Sequence, residues 1–267
     1  MKLLLSIRFD GTSFVGYQAQ HNGPTVQQEL TRAAVELFGH PCDVTGCSRT
    51  DSGVHANCFY ITVTKKGTDR LETAIPAERI PRAMSAHLPD SISVLSAEWV
   101  REDLHARYSV ISKEYVYRIF NAPWRDPFEN GRSWHIPQSI GEDALAAMQM
   151  AAAVFVGKHD FTSCMANGSK IVSATRTVTE ATVERQGDLI LLRISADGFL
   201  YHMVRIIMGT LVEVAMGRMT PEDVAHALEA TDRRLMGPTA PAHGLYLNRV
   251  NYDMAGDIKP ILPPKES

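Results

Sequence analysis

The chain has 267 residues, 45% of them apolar and 21% charged, an ordinary globular composition that excludes intrinsic disorder and a fibrous protein. Its net charge of −3, from 27 Lys+Arg against 30 Asp+Glu, does not announce a nucleic-acid binder, yet a near-neutral protein can still gather its cations in one cleft. No apolar run of about 18 residues marks a membrane span; the opening Met1–Ile7 is cut short by Arg8 and Asp10, unlike a signal peptide, and four cysteines are too few for a disulfide scaffold, so a reduced, cytoplasmic protein is expected.

In chain order, Leu3 to Phe9 reads as a strand ending at the Asp10-Gly11 turn. Thr25 opens a helix that runs through Phe38. Thr25 and Gln28 have capping-box spacing, Gly39 is the stop, and Leu30, Ala33, Ala34, Leu37 and Phe38 form one apolar stripe. Beyond a glycine-rich loop, Phe59, Ile61 and Val63 alternate with Tyr60 and Thr62, a strand pattern. Pro81 suits the first turn of a short helix that ends before Pro89. Ser91 to Val100 and Lys113 to Asn121 are further strands, the second rich in β-formers. Ser139 and Glu142 are spaced as a capping box for a helix reaching Val156, closed by Gly157. Two strands, about Thr175–Arg185 and Leu189–Ala196, flank Gln186-Gly187-Asp188 as a hairpin. A long helix from about Leu200 to Met216, another from Pro221 to Ala230 and a last strand from Leu245 to Tyr252 complete the series. Hairpin-joined strands with helices favour an α+β fold: two similar lobes, each a mostly antiparallel sheet with helices on one face. The division is expected near residue 110, giving lobes 1–110 and 111–267.

The segment with most chemical content is Gly46-Cys47-Ser48-Arg49-Thr50-Asp51-Ser52-Gly53-Val54-His55-Ala56. It sets a cation and a carboxylate two positions apart, between glycines and directly before a strong strand. A guanidinium nearby favours the ionised carboxylate, which leaves Asp51 available as nucleophile or base. Read from the residues alone, an Asx-turn with a local ion pair fits as well. Cys42, Cys47, His55 and Cys58 lie close in sequence, but their spacing matches no paired-cysteine zinc pattern, and no Walker loop, dinucleotide fingerprint or Gly-x-Ser-x-Gly elbow is present. His105-Ala106-Arg107-Tyr108 and Lys113-Glu114-Tyr115-Val116-Tyr117-Arg118 interleave rings with cations. Such clusters suit base stacking and phosphate contacts, or equally a strand with core tyrosines. Arg205, inside the apolar run Met203–Met208, needs an anionic partner, a cleft or a route to solvent.

Gly46-x-x-Arg49-Thr50-Asp51-x-Gly53-Val54-His55-Ala56 resembles the active-site loop of the TruA family of tRNA pseudouridine synthases. The resemblance covers nearly the whole chain. It extends through Phe9-Asp10-Gly11, Phe14-Val15-Gly16-Tyr17-Gln18, Thr25-Val26-Gln27-Gln28, His105-Ala106-Arg107-Tyr108, Lys113–Tyr117, His159-Asp160-Phe161, Phe199-x-Tyr201-His202-Met203-Val204-Arg205 and Thr239-Ala240-Pro241-Ala242-x-Gly244-Leu245-Tyr246-Leu247. It implies two α/β lobes around a central RNA-binding cleft, a homodimer, and isomerisation of uridine to pseudouridine at tRNA positions 38, 39 and 40 in the anticodon stem-loop. It also implies no cofactor and no metal. By matching position, Asp51 is the implied nucleophile and Arg49 and Arg205 hold it ionised and oriented. Tyr115 stacks on the target base and helps remove the C5 proton, and Leu247 lines the pocket. Cys47-Ser48 replaces the family's usual Ala-Gly, Ser52 its common Ala, and Tyr17 a tryptophan; none of these removes a role-bearing group. A tRNA-binding folding factor without essential catalysis is the second reading, and an unrelated α+β hydrolase using Asp51 the third. The intact trio of Asp51, Arg49 and Tyr115 favours the enzyme.

Overall fold

The computed structural model describes residues 1–166, 168 and 171–252. Its elements in chain order are β1 (Lys2–Phe9), α1 (Val26–Phe38), β2 (Cys42–Gly46), β3 (His55–Lys65), α2 (Ile80–Ser85), β4 (Ile92–Val100), β5 (Val110–Phe120), β6 (Trp134–His135), α3 (Glu142–Ala153), β7 (Gly157–Asp160), β8 (Thr175–Gln186), β9 (Leu189–Ala196), α4 (Met203–Ala215), α5 (Pro221–Glu229) and β10 (Leu245–Tyr252). Among the described residues no helix is long and apolar enough to cross a membrane.

The chain divides into two compact units: Met1–Ile111 together with the residues from Tyr246 onward, and Ser112–Leu245. The last strand therefore belongs with the first unit, not with the second half to which its sequence position assigns it. The cause is pairing: Tyr246 and Leu247 of β10 run parallel to His55 and Ala56 of β3. Residues 253–267 of the expected second lobe lie outside the described residues.

In the first unit, β1 pairs antiparallel with both β3 and β4, and β2 pairs antiparallel with β3 over Ile61–Lys65. Helix α1 forms where the sequence predicts it. The Thr25 hydroxyl accepts from the Gln28 amide while the Gln28 side chain accepts from the Thr25 N–H, and Gly39 ends the helix in the left-handed region at φ 74°. Helix α2 carries Pro81 in its first turn, where its missing N–H costs nothing. The alternation in β3 does not translate into one wet face, because its interior residues are buried on both sides. Phe59, Ile61 and Val63 fill one side. On the other, Tyr60 meets the edge of Tyr252 at 5.4 Å, and the Tyr252 hydroxyl donates to the Ala106 carbonyl at 2.6 Å.

In the second unit β5, β9, β8 and β7 form antiparallel neighbours in that order, with short β6 parallel to β5. Gln186 pairs with Leu189, so the hairpin loop is Gly187-Asp188 alone, with Gly187 at φ 59°. Helix α3 packs on β8 and α4, and α5 packs on α3. The expected Ser139–Glu142 capping box is not formed. Gly141, in extended conformation, is the N-cap, which makes Glu142 the first helical residue instead of the third. The helix also stops at Ala153, since the amides of Val154, Phe155 and Val156 each reach back only three residues. Strands β2, β6 and β7 carry no strong pattern and are not predicted from the sequence. Thr220 and Asp223 form an unanticipated capping box on α5.

Helix α4 is largely inside this unit, with ten of its thirteen residues buried. Gly209 lets the chain segment 237–240 touch the helix backbone: a Cβ there would sit 1.7 Å from the Pro238 carbonyl oxygen. Thr210 receives the Gly237 N–H at 3.0 Å, and Ala240 N–H donates to the Arg205 carbonyl. In an open helix Gly→Ala gains roughly 1 kcal/mol. Here the same change is overpacking, which costs about 1–3 kcal/mol. Gly209→Ala should therefore lower the urea unfolding midpoint, and an unchanged or raised midpoint would show that the contact yields freely.

Candidate active site

The loop between β2 and β3 carries Asp51, and it is held by the segment Phe14–Tyr17. Tyr17 N–H donates to the Thr50 carbonyl at 3.2 Å, Gly53 N–H to the Phe14 carbonyl at 3.3 Å, and the Ser52 hydroxyl to the same carbonyl at 3.3 Å. Gly16, at φ 114°, lies directly on the loop: a Cβ would be 2.7 Å from the Thr50 oxygen and 3.4 Å from the Asp51 carbonyl carbon. Only glycine combines that backbone angle with that approach. Within the loop, Val54 N–H closes a turn onto the Asp51 carbonyl, with Gly53 at φ 78°.

The loop's two ends are anchored by buried side chains. Cys47 is fully buried; its amide donates to Tyr60 O at 2.9 Å and its sulfur lies 3.3 Å from the Tyr60 nitrogen. The replacement Cys47 is thus a packed anchor pinning the loop to β3. At the other end His55, 2% exposed, accepts from the Gly11 N–H at 3.0 Å, lies 3.3 Å from the Asp10 carboxylate and stacks on Tyr246 at 4.6 Å. The Asp10-Gly11 and Val54-His55 motifs, distant in sequence, are two halves of one joint. The sequence reading registers both motifs but not their contact.

Asp51 itself is half-buried. Arg49 is exposed and forms no ion pair among the described residues, so the expected Arg49–Asp51 pair is not made. Leu247 is fully buried in β10 opposite Ala56 of β3, the residue five positions after Asp51. In the second unit, Tyr115 lies in β5 opposite Ile194, is 7% exposed and meets the edge of Phe199 at 4.9 Å. Tyr117 is a core residue whose hydroxyl donates to the Pro241 carbonyl at 2.7 Å; burial drives its pKa upward. The interleaved cluster therefore separates into one plain core ring and Tyr115. Arg205 is half-buried in α4 and donates its Nε to the Ala240 carbonyl at 2.8 Å, inside the contact that Gly209 permits. His202, just before α4, has φ 62°, a left-handed value uncommon for a non-glycine residue, with Tyr201 stacked on its ring at 3.9 Å. Nothing in the spacing of the sequence marks that conformation.

The four cysteines are free and buried, Cys42 and Cys58 within strands. Among the described residues no group of three His, Cys, Asp or Glu side chains is placed to hold a metal ion.

These features define an α+β protein that presents a carboxylate on a backbone-locked loop beside a sheet. A model of the tRNA pseudouridine synthase family matches residues 5–109 and 151–253. The chain is 40% identical over 259 residues to the tRNA pseudouridine synthase A of Allorhizobium ampelinum, covering 96% of both proteins. It is 40% identical over 250 residues to that of a Thermoanaerobacter species (94% of this chain, 99% of the relative), and 41% identical over 253 residues to that of a Caulobacter species (94% and 98%). A solved structure titled as a Cbf5-Nop10-Gar1 complex aligns over 92% of this chain and 48% of that one, at 14% identity and a TM-score of 0.40, too distant to add to the assignment. The chain belongs to the tRNA pseudouridine synthase family, and its reaction is the isomerisation of uridine to pseudouridine in tRNA.

Tyr17 offers a direct check on how the loop is held. Its ring stacks on Phe59 at 4.5 Å, it is 3% exposed, and its hydroxyl has no hydrogen-bond partner among the described residues. Burial first, and then the Cys47 thiol, push its pKa far up, so the hydroxyl stays protonated. The ring holds the loop while the unpaired hydroxyl carries a desolvation cost of about 1–3 kcal/mol. Tyr17→Phe should leave the melting temperature equal or higher with activity retained. A clear loss of stability would mean that the hydroxyl is bonded.

Proposed function

We propose that the protein converts uridines 38, 39 and 40 of the tRNA anticodon stem-loop to pseudouridine, as a cytoplasmic homodimer that needs no cofactor and no metal. The observation that carries this reading is the loop of Asp51, locked by Gly16, Tyr17 and His55 so that one carboxylate is presented in a fixed place. The name tRNA pseudouridine synthase A, carried by relatives that match nearly end to end, supports it.

The reaction breaks the glycosidic C–N bond, turns the uracil, joins C5 to C1′, and removes the C5 proton while N1 gains one. Asp51 serves as the group that attacks the sugar or assists its deprotonation, and a preorganised carboxylate meets that demand without reorganising at the moment of reaction. Arg205, fastened to the Ala240 carbonyl, is the cation that this reading assigns to orienting the carboxylate. Tyr115 stacks on the uracil once the nucleotide has left its stack, and it assists removal of the C5 proton. Leu247 contributes an apolar wall that keeps the detached base from escaping. Arg49, exposed and without an ion pair among the described residues, grips the RNA.

The test is incubation of the purified protein with unmodified tRNA, followed by base-resolution mapping of pseudouridine. Modification at positions 38–40 is expected for the wild type. Asp51→Asn, which keeps shape and loses the charge, should reduce single-turnover conversion below detection while tRNA affinity and melting temperature are largely kept. Conversion by Asp51→Asn at a near-normal rate would remove Asp51 from the chemistry. Tight binding without conversion by the wild type would assign the protein to tRNA folding.

A further inference from the structure

Between the end of β9 and the start of α4, the segment 197–202 is fastened along its length. The Asp197 N–H donates to the Thr177 carbonyl at 3.1 Å, and the Thr177 N–H donates back to the Asp197 carboxylate at 3.0 Å. Gly198 lies against the Arg176 side chain: a Cβ there would be 3.2 Å from its Nε. The same guanidinium donates to the carbonyls of Ser173 at 3.0 Å and Thr175 at 2.6 Å. Further on, the Leu200 carbonyl accepts the Met203 N–H and the Tyr201 carbonyl accepts the Ala166 N–H, both at 3.1 Å. Phe199 is the residue between these fastenings.

Phe199 meets Tyr115 edge to face, with centroids 4.9 Å apart and planes at 81°. Pairing with Ile194 fixes the backbone of Tyr115, but strand pairing alone leaves the side-chain torsions a choice of rotamers. A perpendicular ring at contact distance narrows that choice, in an arrangement that aromatic pairs favour. A ring placed for burial alone would sit as deep as its neighbour Leu200, which is 6% exposed; Phe199 is only half-buried. Its place is set by Tyr115 on one side and by the Asp197–Thr177 clamp on the other.

Resting on the reading of Tyr115 as the residue that stacks on the target uracil and assists removal of its C5 proton, we infer that Phe199 is a positioning residue for Tyr115, itself held in place by Asp197. A ring that stacks on a base, and a hydroxyl that helps to move a proton, must keep one orientation while the detached uracil turns. The effect of Phe199 therefore falls on the chemical step. Affinity for tRNA, which phosphate contacts largely supply, is left as it was.

Phe199→Leu, Phe199→Tyr and Asp197→Ala are compared with wild type in the full-length protein, and each is also combined with Tyr115→Phe. Single-turnover pseudouridine formation at saturating unmodified tRNA, tRNA Kd and melting temperature are measured for all. Phe199→Leu should slow conversion about tenfold with Kd within about twofold of wild type, a smaller effect than a full 1 Å misplacement. Phe199→Tyr keeps the perpendicular ring and should recover most of the rate. Asp197→Ala, at an exposed position, should slow conversion severalfold, and it tests the proposal even where Phe199→Leu does not fold. Combined with Tyr115→Phe, both losses should shrink, since groups that act through one another are not additive. Wild-type rates in Phe199→Leu and Asp197→Ala overturn the proposal. So does a Phe199→Leu loss that stays undiminished beside Tyr115→Phe, which would assign Phe199 to packing. A wild-type rate in Tyr115→Phe alone contradicts the proton role of Tyr115 on which the proposal rests, and that variant shows it separately.

Discussion

The peptide between Thr50 and Asp51 rests against the α-carbon of Gly16, and much of the first unit is arranged to keep it there. Tyr17 ties the loop from the same segment through its amide, while its ring is stacked on Phe59 of β3. Cys47 fastens the loop's start to β3 and His55 fastens its end to the Asp10-Gly11 turn. A carboxylate on an ordinary surface loop samples many positions, and the entropy of ordering it is then lost during the reaction. Here that ordering is already met by backbone hydrogen bonds and by a contact too close for any side chain but hydrogen.

The second unit uses the same device around a different charge. Arg205 lies in an otherwise apolar helix, and the segment 237–240 approaches closely enough, at Gly209, for the Ala240 carbonyl to accept from its Nε. The guanidinium is oriented at its Nε by a main-chain acceptor that cannot turn away. In both units a segment of the family motifs is held by its neighbours' backbone, and the glycines of the motifs mark where backbone meets backbone.

Much of this was legible in the sequence. Thr25, Gln28 and Gly39 delimit α1 through local hydrogen bonds and a left-handed stop, which depend on few distant residues. The two-residue hairpin at Gly187-Asp188 is likewise a local matter. What was not legible depends on tertiary contacts. Ser139 and Glu142 have the spacing of a capping box, yet Gly141 takes the N-cap and the box is lost. The short strands β2, β6 and β7 exist through their pairing partners instead of any strong propensity of their own. The return of β10 to the first unit is a long-range pairing that a linear reading places in the second half. The motif of Asp51 was readable by resemblance, while its physical basis was not. Arg49, two residues away, forms no ion pair among the described residues, and the groups that hold the loop are Gly16, Tyr17 and His55, from other motifs.

In the proposed mechanism, reactivity at Asp51 depends on the loop's fixed backbone in addition to the carboxylate itself. Gly16→Ala tests it most directly, since a methyl group there meets the Thr50 oxygen at 2.7 Å while Asp51 itself remains. Single-turnover pseudouridine formation on saturating unmodified tRNA is the measurement, with tRNA affinity measured in parallel. The expected result is a folded variant that binds tRNA within a few-fold of wild type but reacts about a hundredfold more slowly, as for a misplacement near 1 Å. A folded Gly16→Ala protein that converts uridine at the wild-type rate would contradict it.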